Sequence, residues 1–327
     1  MSGDGEDGEV ETGDVTEGLR PGRLGGAMGD SMDGRSGTGQ GGDDGGVGFG
    51  RVRFDPFCDE VREVLGGISG TLQGCRYLGG DKVAGQWGGM AKREGCSLSL
   101  LFHNVRSACG GNLELLEGEI RRWGVRWDVV GLAETWLDSE SEKGVGIEGY
   151  GVVCASRKEK RGGGVAVFVR EGLTYKTRPD LGVFDEGKFE SVFIEIVRGR
   201  GRRNDVVGVV YRPPGASPGE FTETCEIMAR VLTKLRGVNG YIMGDFNVDL
   251  IKSGTHGPSG EFLGGFTSGG FYPLVSLPTR LASGTLIDNI FTNNLEDKIE
   301  AGLVMVEVSD HLPIFAMVGG SGGEGSG

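Results

Sequence analysis

Cysteine pairs of the C-x-x-C kind are missing from this chain of 327 residues, which counts against a zinc knuckle. The six cysteines, Cys58, Cys75, Cys96, Cys109, Cys154 and Cys225, are scattered, and reduced thiols are the expectation. The start lacks an apolar leader, so no secretion signal is read there. No apolar run is long enough to span a bilayer. These gaps predict a nuclear or cytoplasmic protein without a membrane partner. A glycine-rich loop ending in Lys-Ser or Lys-Thr is also missing, which leaves NTP hydrolysis unsupported. No G-x-S-x-G elbow is present for acyl transfer.

Glycine and negative charge are abundant instead. Glycine supplies 66 of the 327 residues, against about 7% in ordinary proteins. That excess raises the entropy cost of ordering and predicts long soft loops. Net charge is −13. The first fifty residues hold eleven acidic and three basic side chains, a net −8, which leaves −5 for the remainder. Residues 1–50 are therefore expected to be a disordered acidic tail. Residues 51–96 read as a loosely structured linker with one short helix, carrying Phe54, Phe57, Val61, Val64 and Leu65 at helical spacing. Residues 97–318 read as the folded domain, and 319–327 as a flexible Gly/Ser tail.

Within the domain, apolar runs end repeatedly in polar side chains. Leu98–Phe102 leads to His103 and Asn104. Asn112 is placed to cap a helix with Leu113, Leu116, Ile120 and Trp123 on one face. Trp127–Leu132 then leads to Glu134, so a β-α-β-like unit is predicted. Strands follow at Tyr150–Ala155, Gly164–Val169, Ser191–Val197 and Val206–Tyr211, with antiparallel neighbours expected. Between the first two lie Arg157, Lys158, Lys160 and Arg161, either a phosphate-binding loop or a solvated hairpin tip. Ser217-Pro218-Gly219-Glu220 spells a capping box for a helix that buries Phe221, Cys225, Met228, Leu232 and Leu235. A shorter helix is read around Glu261–Phe266. Strands are read at Thr285–Thr292, Ile299–Val306 and Leu312–Val318.

The run Tyr241–Met243 reaches Gly244 and presents Asp245 and Asn247. Alternation at period two puts both on one face, with Phe246 on the other. A surface Asp-x-Asn turn is the plainer reading. Yet eight residues share this strand-end placement: Asn104, Glu134, Tyr211, Asp245, Asn247, Asp288, Asp310 and His311. Ligands gather at such ends in layered α/β folds. Oxygen and amide ligands without cysteine suit Mg²⁺ or Mn²⁺ better than zinc. Metal-assisted hydrolysis of a phosphate ester is the chemistry left.

Several motifs carry a resemblance. They are Phe102-His-Asn104, Leu132-Ala-Glu134-Thr-Trp-Leu, Gly162-Gly-Gly-Val165, Val210-Tyr211-Arg-Pro-Pro214, Gly244-Asp245-Phe-Asn247, Ile287-Asp288-Asn-Ile-Phe-Thr-Asn293 and Ser309-Asp310-His311. The set resembles the endonuclease/exonuclease/phosphatase superfamily, and within it the apurinic-like endonuclease domain of non-LTR (LINE-type) retrotransposons. That resemblance implies a four-layered α/β sandwich, two face-to-face mainly antiparallel or mixed sheets flanked by helices. It implies Mg²⁺-dependent nicking of double-stranded DNA to leave a 3′-hydroxyl. By motif, Glu134 is the principal metal ligand, assisted by Asn104 and Asp310. Asp245 positions or deprotonates water and Asn247 orients it. His311, held by Asp288, contacts the scissile phosphate, with Tyr211 beside it and Thr279 as a weaker phosphate contact. Arg106, Arg212 and Arg280, with the Arg157–Arg161 loop, are the expected DNA contacts. No protein partner is implied. The family domain ordinarily precedes a reverse transcriptase, for which this chain has no room, so a fragment, truncated copy or domesticated remnant is expected. The alternatives are a phosphatase or phosphodiesterase acting on a lipid or small ester, and an inactive binding protein.

Overall fold

A computed structural model describes residues 72–87 and 96–319. The expected tails, and the predicted helix at 54–65, lie outside the described residues. Two seven-stranded sheets form. The first contains β1 (Leu72–Gly79), β2 (Cys96–Asn104), β3 (Val129–Ala133), β4 (Tyr150–Ala155), β5 (Val165–Arg170), β13 (Ile299–Met305) and β14 (Ile314–Gly319), in the order β1-β13-β14-β2-β3-β5-β4. The second contains β6 (Tyr175–Thr177), β7 (Phe184–Asp185), β8 (Phe189–Ile196), β9 (Asp205–Tyr211), β10 (Asn239–Asp245), β11 (Tyr272–Pro273) and β12 (Asp288–Thr292). Its order is β11-β12-β10-β9-β8-β6, with β7 also on β8. Both sheets are mixed, and the parallel pairs are β1–β13, β2–β3 and β9–β10.

Helices serve two of those parallel pairs, as a crossover requires. α2 (Asn112–Trp123) joins β2 to β3, and α3 (Pro218–Lys234) joins β9 to β10. α1 (Gly80–Trp87) packs beside α2, while α4 (Gly257–Ser268) packs beside α3. The result is the expected α/β sandwich, two mixed sheets with helices outside.

Period two explains the layering. In β2, Leu98, Leu100 and Phe102 join the core between the sheets, whereas Leu101 joins the core under α1 and α2. Both faces are covered, so the strand carries apolar side chains on both sides, with Ser99 the polar exception before His103. Gly131 lies where the two sheets come close. A Cβ there would lie 2.7 Å from both Met243 and Val209 of the second sheet.

Some local readings need correction. Residues 72–87, expected as loose linker, form β1 and α1, and β1 lies parallel to β13. Tyr77 on β1 donates a hydrogen bond to the Pro278 carbonyl at 2.9 Å, tying it to a loop near the site. Asn112 opens α2 from inside: the cap is Gly111, and the Asn112 amide donates to the Val105 carbonyl at 2.7 Å. The Ser217 capping box is present. The buried stripe of α3 is Thr224, Ile227, Met228, Val231 and Leu232, rotated from the expected one, with Phe221 and Cys225 at its margin. Among the described residues no helix is long and apolar enough to cross a membrane.

Candidate active site

Strand register brings the polar set together. Asp245, the last residue of β10, pairs with Tyr211 at the end of β9 and with Asp288 at the start of β12. Cross-strand neighbours point the same way, so the three form one row. On the facing sheet Asn104 pairs with Ala133, one residue before Glu134. The rows meet: the Asn104 amide donates to Asp245 Oδ2 at 2.8 Å, and the Tyr211 hydroxyl donates to Glu134 Oε1.

His311 lies between the two aspartates. Its Nδ1 is 2.8 Å from Asp288 Oδ2, and its Nε2 is 4.0 Å from Asp245 Oδ2. Burial alone would lower its pKa, but Asp288, Asp245 and Asp310 outweigh burial and raise it to about 9. An imidazolium thus separates carboxylates that would otherwise repel across adjacent strands. Burial, then Asp288, pushes Asp245 upward to about 7, against the opposing pull of His311 and Asn104. Burial, then the bond to Glu134, pushes the Tyr211 phenol well above its ordinary value, so it stays a donor.

Backbone strain aims several of these groups. Arg106, Ser107, Glu134, Trp136 and Asn247 all have positive φ, between 46° and 101°. Such conformations cost free energy and persist only where surroundings enforce them. Around Glu134 the enforcement is visible. Trp136 N bonds to the Gly163 carbonyl at 2.8 Å, and the Trp136 indole N–H donates to Glu134 Oε2 at 2.5 Å. Gly164 has φ +81°, and its N–H donates to buried Glu190 at 2.5 Å. The glycine run therefore clamps the turn that carries Glu134.

Asn247 corrects the alternation argument. The strand ends at Asp245, and Asn247 turns left-handed at φ 48°. Its N–H donates to Asp245 Oδ1 at 3.0 Å and its amide to the Arg212 carbonyl at 2.9 Å. Phe246 does point away, into a cluster with Phe262, Phe266 and Phe291 at centroid distances of 5.3–5.8 Å. That anchor fixes the turn.

Three expected substrate contacts are structural. Arg212 is buried and donates to the Phe246 and Asn247 carbonyls, each at 2.7 Å. Arg157 is buried against Glu190 at 2.5 Å. Both guanidiniums found partners remote in sequence and turned inward. Thr279 is fully buried, and its hydroxyl accepts from the Ile287 and Asp288 N–H groups at 3.3 Å. It supports Asp288 instead of facing solvent. Lys158, Lys160 and Arg161 remain a solvated tip, folded around Glu186. Arg106 and Arg280 do reach the rim, where both hold Asp310. Burial raises the Asp310 pKa, but Arg106, His311 and Arg280 outweigh it and hold the carboxyl below its usual range.

Sequence reasoning assigned no role to three further supports. His103 is buried, with Nε2 3.0 Å from the His311 carbonyl, and burial lowers its pKa to about 4, so it is neutral. Ser309 donates to the Asn104 carbonyl at 2.6 Å and accepts from His311 N at 3.1 Å. Trp136 steers Glu134. His103 and Ser309 were visible only as motif neighbours of Asn104 and His311.

The donor set can be tested against a divalent cation. Among the described residues, Asp245, Asp288 and His311 are close enough to share an ion. In that trio His311 Nδ1 already bonds Asp288 at 2.8 Å, a contact that a shared ion would have to compete with. Glu134 fits better. It is half-buried, its partners are neutral donors, and no lysine or arginine among the described residues pairs with it. Asn104, one strand over, offers an amide oxygen that already accepts from Arg106 N–H at 3.1 Å. Asp310 fits less well, because two guanidiniums already neutralise it.

The Endonuclease/Exonuclease/phosphatase family model matches residues 101–311. Among curated proteins nothing matches. Among solved structures, AP endonuclease LMAP from Leishmania major superposes with a TM-score of 0.54 at 15% identity, covering 68% of this chain and 87% of that one. Endonuclease/exonuclease/phosphatase family proteins from Bacteroides thetaiotaomicron and Bacteroides vulgatus each give a TM-score of 0.51, at 15% and 14% identity, covering 69% of this chain and 99% of theirs. These likenesses show the fold.

Proposed function

The chain belongs to the endonuclease/exonuclease/phosphatase family, and thus among hydrolases of phosphate esters, and we propose that it is a metal-dependent phosphodiesterase that nicks double-stranded DNA to leave a 3′-hydroxyl, as retrotransposon endonucleases do. One observation carries the reading: Glu134, Tyr211, Asn104, Asp245, His311 and Asp288 form a continuous chain of contacts across the facing strand ends.

The residues divide the work. Asp245, held by Asn104, accepts a proton from the attacking water. Asn247 spends its amide N–H on the Arg212 carbonyl, which leaves its side-chain oxygen to orient that water. His311, kept charged by Asp288, donates toward the phosphoryl oxygen as negative charge develops there. The one Tyr211 hydroxyl hydrogen goes to Glu134 here, so Tyr211 would support the same oxygen only by releasing that carboxylate. Glu134 and Asn104 would hold Mg²⁺ or Mn²⁺, and Asp310 would join them only by releasing Arg106 and Arg280. Bound there, a divalent cation supplies Lewis-acid polarisation of the phosphate. The test is supercoiled plasmid incubated with protein and Mg²⁺. Nicking well above a Glu134→Ala control is expected, and no difference between the two overturns the reading.

The rim favours a second reading. Arg157 and Arg212 are buried struts, Arg106 and Arg280 face Asp310, and the chain beyond residue 50 is net negative. A duplex normally meets a basic footprint. A phosphatase or phosphodiesterase for a lipid or small phosphate ester needs none. Turnover of such esters without plasmid nicking would select it.

A further inference from the structure

The end of the sandwich opposite the catalytic residues carries a different feature. A cavity of about 330 Å³ opens where β2 begins. Asn104 lies eight residues further along that strand, roughly 26 Å away at strand rise. Four arginines line the cavity: Arg126, Arg170, Arg198 and Arg202. Asp128 is the single carboxylate in the lining, and it is occupied, taking two bonds from Arg170 at 3.0 and 2.7 Å and others from Ser99. Arg198 is held by Asp205 through both its Nε, at 2.5 Å, and its Nη2. Arg126 and Arg202 are exposed and meet no carboxylate among the described residues. The β8–β9 loop reads Arg198-Gly-Arg200-Gly-Arg202-Arg203, and Arg200 and Arg203 are exposed as well.

We propose that this arginine-lined end is a second, non-catalytic binding site for the phosphate backbone of a nucleic acid. Free positive charge concentrates here in a chain whose net charge is −13. Guanidinium forks match phosphate oxygens in pairs. Alternating glycines let a backbone approach closely, and the arginines spread along a loop and past the cavity mouth, so they meet successive phosphates. A single small anion would use the cavity alone. No aromatic side chain lines the cavity to stack a base, so binding here is independent of sequence. Arg170 and Arg198, fixed by Asp128 and Asp205, form the floor; Arg126 and Arg202 supply the unspent charge.

The experiment uses the full chain in EDTA, which stops cutting, with a short labelled DNA duplex followed by fluorescence anisotropy over a salt series. Arg126→Gln/Arg202→Gln should bind about tenfold more weakly, and its plot of log K against log salt should flatten by about 2. Arg126→Lys/Arg202→Lys keeps the charges and should recover most of that slope. Hydrolysis of a small chromogenic phosphodiester with Mg²⁺ should be equal in all three proteins, so the catalytic reading can fail while the binding result stands. Unchanged affinity and slope in the glutamine variant overturn the site. A lysine variant as weak as the glutamine one also overturns it, since charge would not be the cause. Inorganic phosphate alone should bind far more weakly than the duplex; if it binds as tightly, the cavity takes a small anion and the nucleic-acid assignment is overturned.

Discussion

Where β2 begins, Asp128 is met by Ser99 and a two-pronged Arg170; where β2 ends, Asp245 is met by Asn104 and by no guanidinium. The same contrast holds for neighbours. Asp205 at the start of β9 pairs with Arg198, whereas Glu134 near its finish is met by Tyr211 and Trp136. All five described non-glycine residues with positive φ lie at the end that carries Glu134 and Asp245. One end pairs Asp128 and Asp205 with guanidiniums, and the other leaves Asp245 and Glu134 without one, although Arg106 and Arg280 hold Asp310 there. Each positive-φ position costs on the order of 1–3 kcal/mol, which the well-packed sandwich offsets. Carboxylates left unneutralised can change protonation or take a cation.

The contrast breaks most readily at His311. His311→Gln should lower phosphodiester hydrolysis by roughly 10³-fold, the scale of losing a group that meets developing charge. The fold should survive, because Asp245, already inclined to hold a proton, takes one up when the imidazolium is gone. A rate within threefold of wild type would place His311 in packing instead. Asp128→Ala should do the reverse. It leaves Arg170 unpartnered in a partly buried site, so a loss of about 3 kcal/mol in urea denaturation is expected, with hydrolysis per folded molecule unchanged. A loss of hydrolysis as large as that for His311→Gln would erase the distinction between the ends. Trp136→Phe keeps the ring and removes the N–H that steers Glu134. The Mg²⁺ concentration for half-maximal rate should rise about tenfold; an unmoved metal titration would remove Trp136 from the support of Glu134.

Much of this division was legible in the chain, because it rests on local pattern. Apolar runs ending in Asn104, Glu134, Tyr211 and Asp245 mark strand ends, and facing strands put those ends together. The capping box at Ser217 is local too, and it appears as read. What escaped depends on partners far away in sequence. Arg157 and Arg212 look like surface charge until Glu190 and the Phe246 and Asn247 carbonyls come beside them. Thr279 turned inward for the same reason. Asn247 left the predicted face because the strand stops two residues earlier, where Phe246 N bonds to the Ile287 carbonyl. Residues 72–87 read as linker because glycines interrupt their periodicity, but β13 offered an edge on which β1 could pair.

The smallest effect tests the electrostatics of the catalytic end directly. Asp245 holds its proton more tightly in the folded chain than in the unfolded one, so folding is favoured while it is protonated. That advantage declines as pH rises from about 4 to about 7. His311 has the same sign: its charged form stabilises the fold below about 6.5, and the contribution is lost as pH rises through about 9. Asp310, held low by Arg106 and Arg280, acts oppositely and weakens the fold only on acidification. Urea midpoints should therefore drift downward between about pH 4 and pH 9. Asp245→Asn removes the first part, so its profile should be flat up to neutrality and then fall with His311. If variant and wild type run parallel from pH 4 to 7, Asp245 is an ordinary ionised carboxylate, and the unsettled charge at that end must reside on Glu134 alone.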